Sequence, residues 1–364
     1  MKIGFVAEPY EETGASGMGH LVSELVKHLP VAGKQHIFTI YSSRPLRAGM
    51  VNVPIRNVIV PSSFFGKLWW FLRTKEDIDV LLFVTPLLPL ILPRRIKTIP
   101  ICPELGSQKI APGPLRDKLV AFVRDRIFMP ICLKRSTAIT AISKATMEDI
   151  VTYYDIPREK ISVIYVGFQD LSSFKEAAPE IDKKMLPYFF FTGRVKSRKN
   201  VHAIVSAFIL FKKRTNADCK LVIAGHAGGA YLQSMRTELE KNSLARDAFF
   251  VGYVSTEFLY SYYKHALAFV FPSLNEGFGM PVVEAMNLGV PVITSNISSL
   301  PEAAGDAALL VDPYDPKDIS RAMEKIFTDS NLRADLIKKG IIQAKKFSWD
   351  KMAHEYMLFL EETV

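Results

Sequence analysis

The chain alternates short apolar runs with longer amphipathic segments, and it does so twice. "KIGFVAE" reads as a strand, "GHLVSELVKHLP" carries apolar residues at helical spacing as far as Pro30, and "HIFTIYSS" is a strand again. "VNVPIRNVIV", "DVLLFV" and "IKTIPICPE" follow, then "AITAIS" with a helix that Ser143 caps, and "KISVIYVG". Alternation of this kind calls for βαβ crossovers and a parallel sheet with helices on both faces. Residues 169–186 lose the periodicity, are polar and contain Pro179, which predicts a linker. The pattern then restarts with "YFFFTGR", "NVHAIVSAFILFKKRT", "CKLVIAGH", "YLQSMRTELEKNS", "AFFVGYV", "EFLYSYYKHA", "LAFVFPS", "PVVEAMNLG" and "PVITS". The expectation is α/β: two doubly wound Rossmann-like domains in tandem, with ligands at the carboxyl ends of the strands in a central cleft.

Composition agrees with two cores. The 364 residues are 49% hydrophobic and 23% charged, a globular balance for a length beyond most single domains. Cys102, Cys132 and Cys219 are few and far apart, which points to packing in a reducing compartment rather than to disulfides or zinc. The start reads as a strand and not as a secretory signal. The most apolar window, residues 79–93, is too short and too rich in proline to span a bilayer. The expected location is cytoplasmic, or peripheral on a membrane face.

The net charge of +9 is uneven, because residues 51–135 hold 14 Lys/Arg against 6 Asp/Glu. That bias suggests an anionic partner: phospholipid, a phosphorylated carrier or nucleic acid. "SSFFGKLWWFLRTK" (62–75) interleaves aromatics with cations, and Trp69, Trp70 and Phe71 cannot all point one way on a helix. "RDKLVAFVRDRIFMPICLKR" (116–135) is amphipathic and basic. Both stretches also read as ordinary helices with core-facing aromatics and a solvated basic face.

The richest chemistry lies in "NEGFGMPVVEAM", residues 275–286, which leaves the carboxyl end of a strand. Gly277 and Gly279 let backbone approach a ligand, Pro281 suits the first helical position, and free N–H groups at the helix start attract a phosphate. Glu284, read in the first turn, accepts two hydrogen bonds from a vicinal diol such as ribose, and Glu276 meets a second set of hydroxyls. Singly, each acid is explained by the helix dipole or by an exposed loop. Together they bracket a phosphate between two polyols, which describes a nucleotide sugar. In "FTGRVKSRKN" (191–200), Arg194, Lys199 and Arg198 stand after another strand, where a leaving diphosphate needs cations. A solvated basic loop is the plain alternative. "EETGASGMGHLVSEL" puts Gly14, Gly17 and Gly19 between a strand and a helix, but Val22 stands where the dinucleotide fingerprint has its third glycine. Asp77 to Asp79 read as a strand start, with no metal implied.

"PSLNEGFGMPVVEAMNLGVPVITSNISSLPEAAGDAALLVDPYDP" resembles the signature of family 4 (group 1) glycosyltransferases, retaining enzymes of the GT-B fold of which many transfer mannose. The resemblance covers most of residues 188–350, including "GRVKSRKN", "LVIAG", "FVGYVS" and "FSWDKMA"; the first half is matched more loosely, at the glycine loop and at "AITAISKATMEDIVTYYDIPREKISVIYVGF". It implies that Arg194 and Lys199 bind the donor diphosphate and that Glu284 holds the ribose. It implies that Glu276 contacts the transferred sugar with backbone amides of Gly277, Phe278, Gly279 and Met280. It places the base near Tyr253 and Val254, and Gly17 near the diphosphate. Catalysis would rest on Glu276, Arg194 and Lys199. Many relatives carry a His-Asp pair where this chain reads "ICPELGS", with Cys102 or Pro103 at the His position and Glu104 at the Asp position.

The implied organisation is an acceptor-side domain over 1–170, a nucleotide-sugar domain over 171–347, and a helix over 348–364 that crosses back to the first domain. The implied activity is metal-independent retaining transfer of a hexose, mannose favoured, from GDP-mannose or a UDP-hexose to a glycan or lipid-linked acceptor. No cofactor and no nucleic acid are expected, and an anionic membrane contact would run through residues 51–135. A nucleotide-sugar epimerase or phosphorylase, or a degenerate partner subunit, are the rival readings. His20, His226 and His265 are unassigned, and read as structural or solvated.

Overall fold

A computed structural model of the chain describes all residues except 9–16, 48, 64–65, 67–69, 72–75, 85–94, 106–121, 175–182 and 227, and leaves out the side chains of 124, 173 and 183. The chain divides into two compact units, Met1–Gly167 with Phe347–Val364, and Phe168–Lys346. The first unit starts with β1 (Lys2–Val6), α1 (Gly17–Ala32), β2 (Ile37–Ser42) and β3 (Arg56–Ile59). It continues with β4 (Val80–Val84), β5 (Lys97–Cys102), α2 (Met129–Arg135), β6 (Ile139–Ala141), α3 (Lys144–Tyr154) and β7 (Ile161–Val163). Its seven strands lie in the order β3-β2-β1-β4-β5-β6-β7, and every pair is parallel.

The second unit opens with β8 (Tyr188–Thr192), α4 (Val201–Thr215), β9 (Lys220–Ala224), α5 (Gly229–Lys241), β10 (Ala248–Gly252) and α6 (Thr256–Lys264). Then come β11 (Ala268–Phe271), α7 (Met280–Asn287), β12 (Val292–Ser295), α8 (Leu300–Ala304), β13 (Ala308–Val311), α9 (Pro316–Thr328) and α10 (Ser330–Ala344). Its six strands run β10-β9-β8-β11-β12-β13, again all parallel. In both sheets the strand order reverses once, beside β1 and beside β8, and such a switch point opens a crevice outside the carboxyl ends of two neighbouring strands.

Strands covered on both faces explain the unbroken apolar runs. Phe189, Phe190 and Phe191 are consecutive in β8 and all fully buried, as are Leu81, Leu82 and their neighbours in β4. Each such side chain contributes about 1.5–3 kcal/mol on leaving water. Ser143 caps α3 by accepting the Thr146 N–H at 3.0 Å. Asp79 accepts the Lys2 N–H at 2.7 Å and Asp77 pairs with the Lys2 ammonium, which ties the start of β4 to β1. All three cysteines are free and buried. Of the aromatic run, Trp69 lies outside the described residues; Trp70 and Phe71 pack edge-on to Tyr41 in the core.

The last helix, α11 (Trp349–Thr363), belongs to the first unit. The buried Tyr356 and Thr140 hydroxyls share a hydrogen bond at 2.9 Å, His28 meets Asp350 at 2.9 Å, and Lys97 donates to the carbonyl of Thr363 at 2.8 Å. The passage from the first unit to the second lies at Gly167–Phe168. Residues Leu171–Ser173 form a 3-10 turn already packed on the second unit, and Pro179 lies outside the described residues.

At the strand ends of the second unit one glycine has no substitute. Gly225 has φ +137°, and a Cβ there would lie 1.9 Å from the carbonyl oxygen of Gly193. Gly225→Ala must therefore push β9 away from β8 as well as strain its own backbone. We expect a loss of roughly 3 kcal/mol or more and a melting temperature lower by about 10 °C. Calorimetry checks this, and an unchanged melting temperature would show that the two strand ends are not so closely set.

Candidate active site

The loops after β8 and β11 leave adjacent strands at the switch point of the second sheet, so residues 77 apart in sequence come into contact. Lys199 Nζ donates to Glu276 Oε1 at 2.7 Å, with only 15% and 9% of the two side chains exposed. The ammonium also lies 4.8 Å from the centre of the Phe271 ring. Arg198 donates to the carbonyl of Asn275 at 2.8 Å, and its guanidinium stands 3.8 Å from Glu276 Oε2. The Ser273 hydroxyl donates to Glu276 Oε1 at 2.5 Å.

Backbone contacts hold the two loops together. Leu274 N–H donates to the carbonyl of Arg198 at 2.9 Å, and the Asn200 amide bridges to the carbonyls of Pro272 and Pro313 at 3.1 and 2.7 Å. The Glu276 N–H donates to the Ser298 hydroxyl at 3.1 Å, while the Ser298 and Ser299 hydroxyls both donate to its carbonyl at 2.9 Å. Glu276 is thus fixed at its backbone and at both carboxylate oxygens. Ser273, Ser298 and Ser299 carried no signal in the sequence, because serine is common in loops of any purpose.

The turn itself differs from the sequence reading. Helix α7 begins at Met280, so Pro281 takes its second position; the N–H missing there is another that has no partner inside a helix, and nothing is lost. Gly277, Phe278 and Gly279 are buried and Met280 is half-buried. Gly279 has φ +110°, and a Cβ on it would meet Leu300 Cδ2 at 2.8 Å. The missing side chain at Gly279 therefore serves packing against α8.

Glu284 lies in the second turn of α7, beyond the first turn where the dipole acts most. It is half-buried, and its carboxyl bonds to the Tyr263 hydroxyl and accepts the backbone N–H of Gln169. Burial raises its pKa to about 7 against the pull of those two donors. Tyr263 is fully buried, with its ring 5.1 Å from those of both Phe190 and Phe269, so the aromatic core fixes the hydroxyl. Asp170 accepts from the Ser172 N–H at 2.9 Å and from the Asn287 amide at 2.8 Å, which anchors the Gln169 peptide on α7. Gln169 fell in the expected linker. A backbone donor leaves no mark in a sequence.

Arg194 is exposed at the end of β8, and its side chain makes no hydrogen bond or ion pair with the described residues. Tyr253, 81% exposed, follows β10, with the half-buried Val254 beside it. In the first unit, Gly17 is the first residue of α1 with open space where a side chain would stand. Gly19 is buried inside the same helix, so neither forms a loop; Gly14 lies outside the described residues. Cys102 is fully buried in β5 and Pro103 is buried after it, while Glu104 is half-buried. His226 is exposed, His265 bonds the Ser261 carbonyl at 3.0 Å, and the His20 ring packs edge-on to Trp349. Among the described residues no group of three His, Cys, Asp or Glu has the spacing of a metal site, and no helix is long and apolar enough to cross a membrane.

Residues 173–343, which carry Arg194, Arg198, Lys199, Glu276 and Glu284, match the family model "Glycosyl transferases group 1". The second unit is thus similar to the group 1 glycosyl transferases. Over 230 residues it is 33% identical to the serotype-specific mannosyltransferase WbdA of Escherichia coli, covering 61% of this chain and 28% of that protein. It is 32% identical over 225 residues to the O-antigen chain mannosyltransferase B of Escherichia coli, covering 60% and 58%. The chain thus spans less than two thirds of the length of these curated relatives. Among solved structures, Anabaena HepE in complex with UDP and glucose superposes with a TM-score of 0.75 at 14% identity, covering all of both chains. Sucrose-phosphate synthase from Thermosynechococcus elongatus gives 0.73 at 17%, covering 100% of this chain and 98% of that one. The fold is GT-B, with two Rossmann-like units of seven and six parallel strands.

Proposed function

We propose that the chain is a retaining, metal-independent glycosyltransferase that moves a hexose, mannose favoured, from a nucleoside-diphosphate sugar to a glycan or lipid-linked acceptor. The observation that carries the reading is the Lys199–Glu276 pair, with Arg198 beside it, at the switch point of the second sheet. Cations and a fixed carboxylate meet there, where an anionic leaving group and a polyol must be bound together. The mannosyltransferase relatives support the choice of sugar, and the family resemblance supports the stereochemical course.

In the reaction the bond from the sugar C1 to the diphosphate oxygen breaks, and both electrons leave with the diphosphate. Lys199, Arg198, Arg194 and the amides at the start of α7 favour that growing charge over the ground state. The acceptor hydroxyl oxygen bonds to C1 on the face the diphosphate leaves, and its proton passes to a leaving phosphate oxygen. Glu276 holds the sugar hydroxyls, Glu284 the ribose, and the exposed Tyr253 ring offers a stacking surface for the base. The basic stretch 51–135 provides for an anionic partner at a membrane face.

A thermal-shift panel of GDP, UDP and ADP tests donor binding. One nucleoside diphosphate should raise the melting temperature, and Glu284→Ala should abolish the shift while leaving the fold intact. Incubation of donor without acceptor should leave the sugar unchanged. No shift with any nucleotide, or conversion of the sugar alone, would refute the transferase reading.

A further inference from the structure

Five residues other than glycine, among those described, hold a left-handed backbone: Asp155, Asn200, Asn216, Ser243 and Ser298. Four of them close a helix or a 3-10 turn, where that conformation is common. Asp155 follows α3, Asn216 follows α4, Ser243 stands just past α5, and Asn200 ends the turn Ser197–Lys199. Ser298, at φ +60°, closes no helix; it lies between β12 and α8. Serine lacks the tolerance of this region that Asn and Asp have. A glycine would take it without strain, so the serine side chain must contribute what a glycine lacks.

Its hydroxyl spans both backbone groups of one residue, 22 positions away: Ser298 Oγ accepts the Glu276 N–H at 3.1 Å and donates to the Glu276 carbonyl at 2.9 Å. The same hydroxyl lies 3.2 Å from Oδ1 of the buried Asn275, whose carbonyl accepts from Arg198 at 2.8 Å. Ser299, fully buried, gives the Glu276 carbonyl a second donor at 2.9 Å from an ordinary backbone with φ −84°. Without Ser298 the carbonyl would keep a donor, and the N–H would lose its acceptor. The bond that Ser298 adds therefore fixes the turn of the Glu276 peptide, and with it the direction in which the side chain leaves the loop.

We propose that Ser298 is a positioning residue that aims the Glu276 carboxylate at the transferred sugar. This role rests on the reading of Glu276 as the group that holds the sugar hydroxyls. Lys199, Arg198 and Ser273 also meet the carboxylate, but they hold its oxygens. Sugar hydroxyls and a diphosphate compete for those oxygens and for those cations. The bond from the Glu276 N–H to Ser298 takes no part in that exchange and holds the residue throughout.

The test uses the full chain with Ser298→Gly or Ser298→Ala. Both substitutions delete the hydroxyl; glycine also relieves the left-handed backbone, and alanine does not. Calorimetric titration with GDP and GDP-mannose, and with UDP and UDP-glucose, gives the affinity of each nucleotide sugar relative to its nucleoside diphosphate. For the pair that the wild type binds, this ratio should fall by about tenfold in both variants, because a misaimed carboxylate loses its hold on the sugar. Affinity for the nucleoside diphosphate alone should stay within about twofold, since in the proposed binding mode Glu284 and Arg194 do not depend on Ser298. Ser298→Gly should melt within a few degrees of the wild type and above Ser298→Ala, as relieved strain offsets lost bonds. A merely structural role would lower both affinities together and leave the ratio unchanged, and an unchanged ratio in the folded variants overturns the proposal. Glu276→Ala tells that failure from failure of the underlying reading. If it too leaves the ratio at the wild-type value, or if the wild type binds neither pair, Glu276 does not hold the sugar and both ideas fall.

Discussion

Lys199→Ala should lower kcat for sugar transfer by roughly 100- to 1000-fold, the loss typical of removing one group that stabilises transition-state charge. KM for the donor should stay within a few-fold, because in the proposed binding mode Arg194, Arg198 and the α7 amides still meet the diphosphate in the ground state. The same substitution leaves Glu276, only 9% exposed, without its nearest cation. Breaking a buried pair costs about 3–5 kcal/mol; Arg198, at 3.8 Å from the other oxygen, offsets part of that, so about 2–3 kcal/mol is expected. The double variant Lys199→Ala, Glu276→Ala should therefore be more stable than the single one, yet no more active. Steady-state kinetics and thermal melts on the three proteins decide the matter. Transfer within twofold of wild type for Lys199→Ala would remove this residue from the chemistry, and a double variant less stable than the single would deny that the pair is coupled.

The second large effect is one of pH. Burial lifts Glu284 from an ordinary carboxylate pKa of 4.5 to about 7 in the folded protein. A carboxyl with a raised folded pKa binds its proton more tightly when folded. Its contribution to stability is therefore full below pH 4.5 and is lost as pH rises through 7, by an amount on the order of 3 kcal/mol. In the proposed role, ribose hydroxyls need the Glu284 carboxylate as acceptor, so the nucleotide would favour the opposite protonation state. Nucleotide affinity should fall about tenfold for each pH unit below 7 and level off above it. Glu284→Gln cannot ionise: it should bind nucleotide weakly at every pH, and should unfold at higher temperature than the wild type above pH 7. The difference between the two proteins over pH 5 to 8 removes the titration of the phosphates. Equal pH dependence in wild type and Glu284→Gln would exclude this carboxyl as the titrating group.

Much of the molecule was legible one segment at a time. Apolar runs such as "YFFFTG" and "LAFVFPS" are strands because parallel strands are buried on both faces, and that requirement is written in consecutive residues. The Ser143 cap and the turn that carries Glu276 into a helix are equally local. Other features are not local. Gly17 and Gly19 read as a loop, yet α1 starts at Gly17 and takes both in. At Gly279, which read as a point of ligand approach, the structure adds a second reason for glycine: α8 occupies the space a side chain would need. For Trp70, Phe71 and the helix of residues 122–135, composition left open whether aromatics face the core or the solvent. The answer depends on the neighbours, and Phe128 went inward while Ile127 stayed out.

The sequence by itself determined two tandem parallel-sheet units and placed Lys199 and Glu276 each just past a strand. Both follow from hydrophobic period and turn chemistry, which act over a few residues. The tertiary structure alone decided that Lys199 touches Glu276, because contact across 77 residues required β8 and β11 to be neighbours in the sheet. It alone decided the state of Glu284: burial lifts the pKa to about 7, although the Tyr263 hydroxyl and the Gln169 N–H pull it down. Burial and partner identity are sums over the whole fold, and no short stretch of sequence carries them.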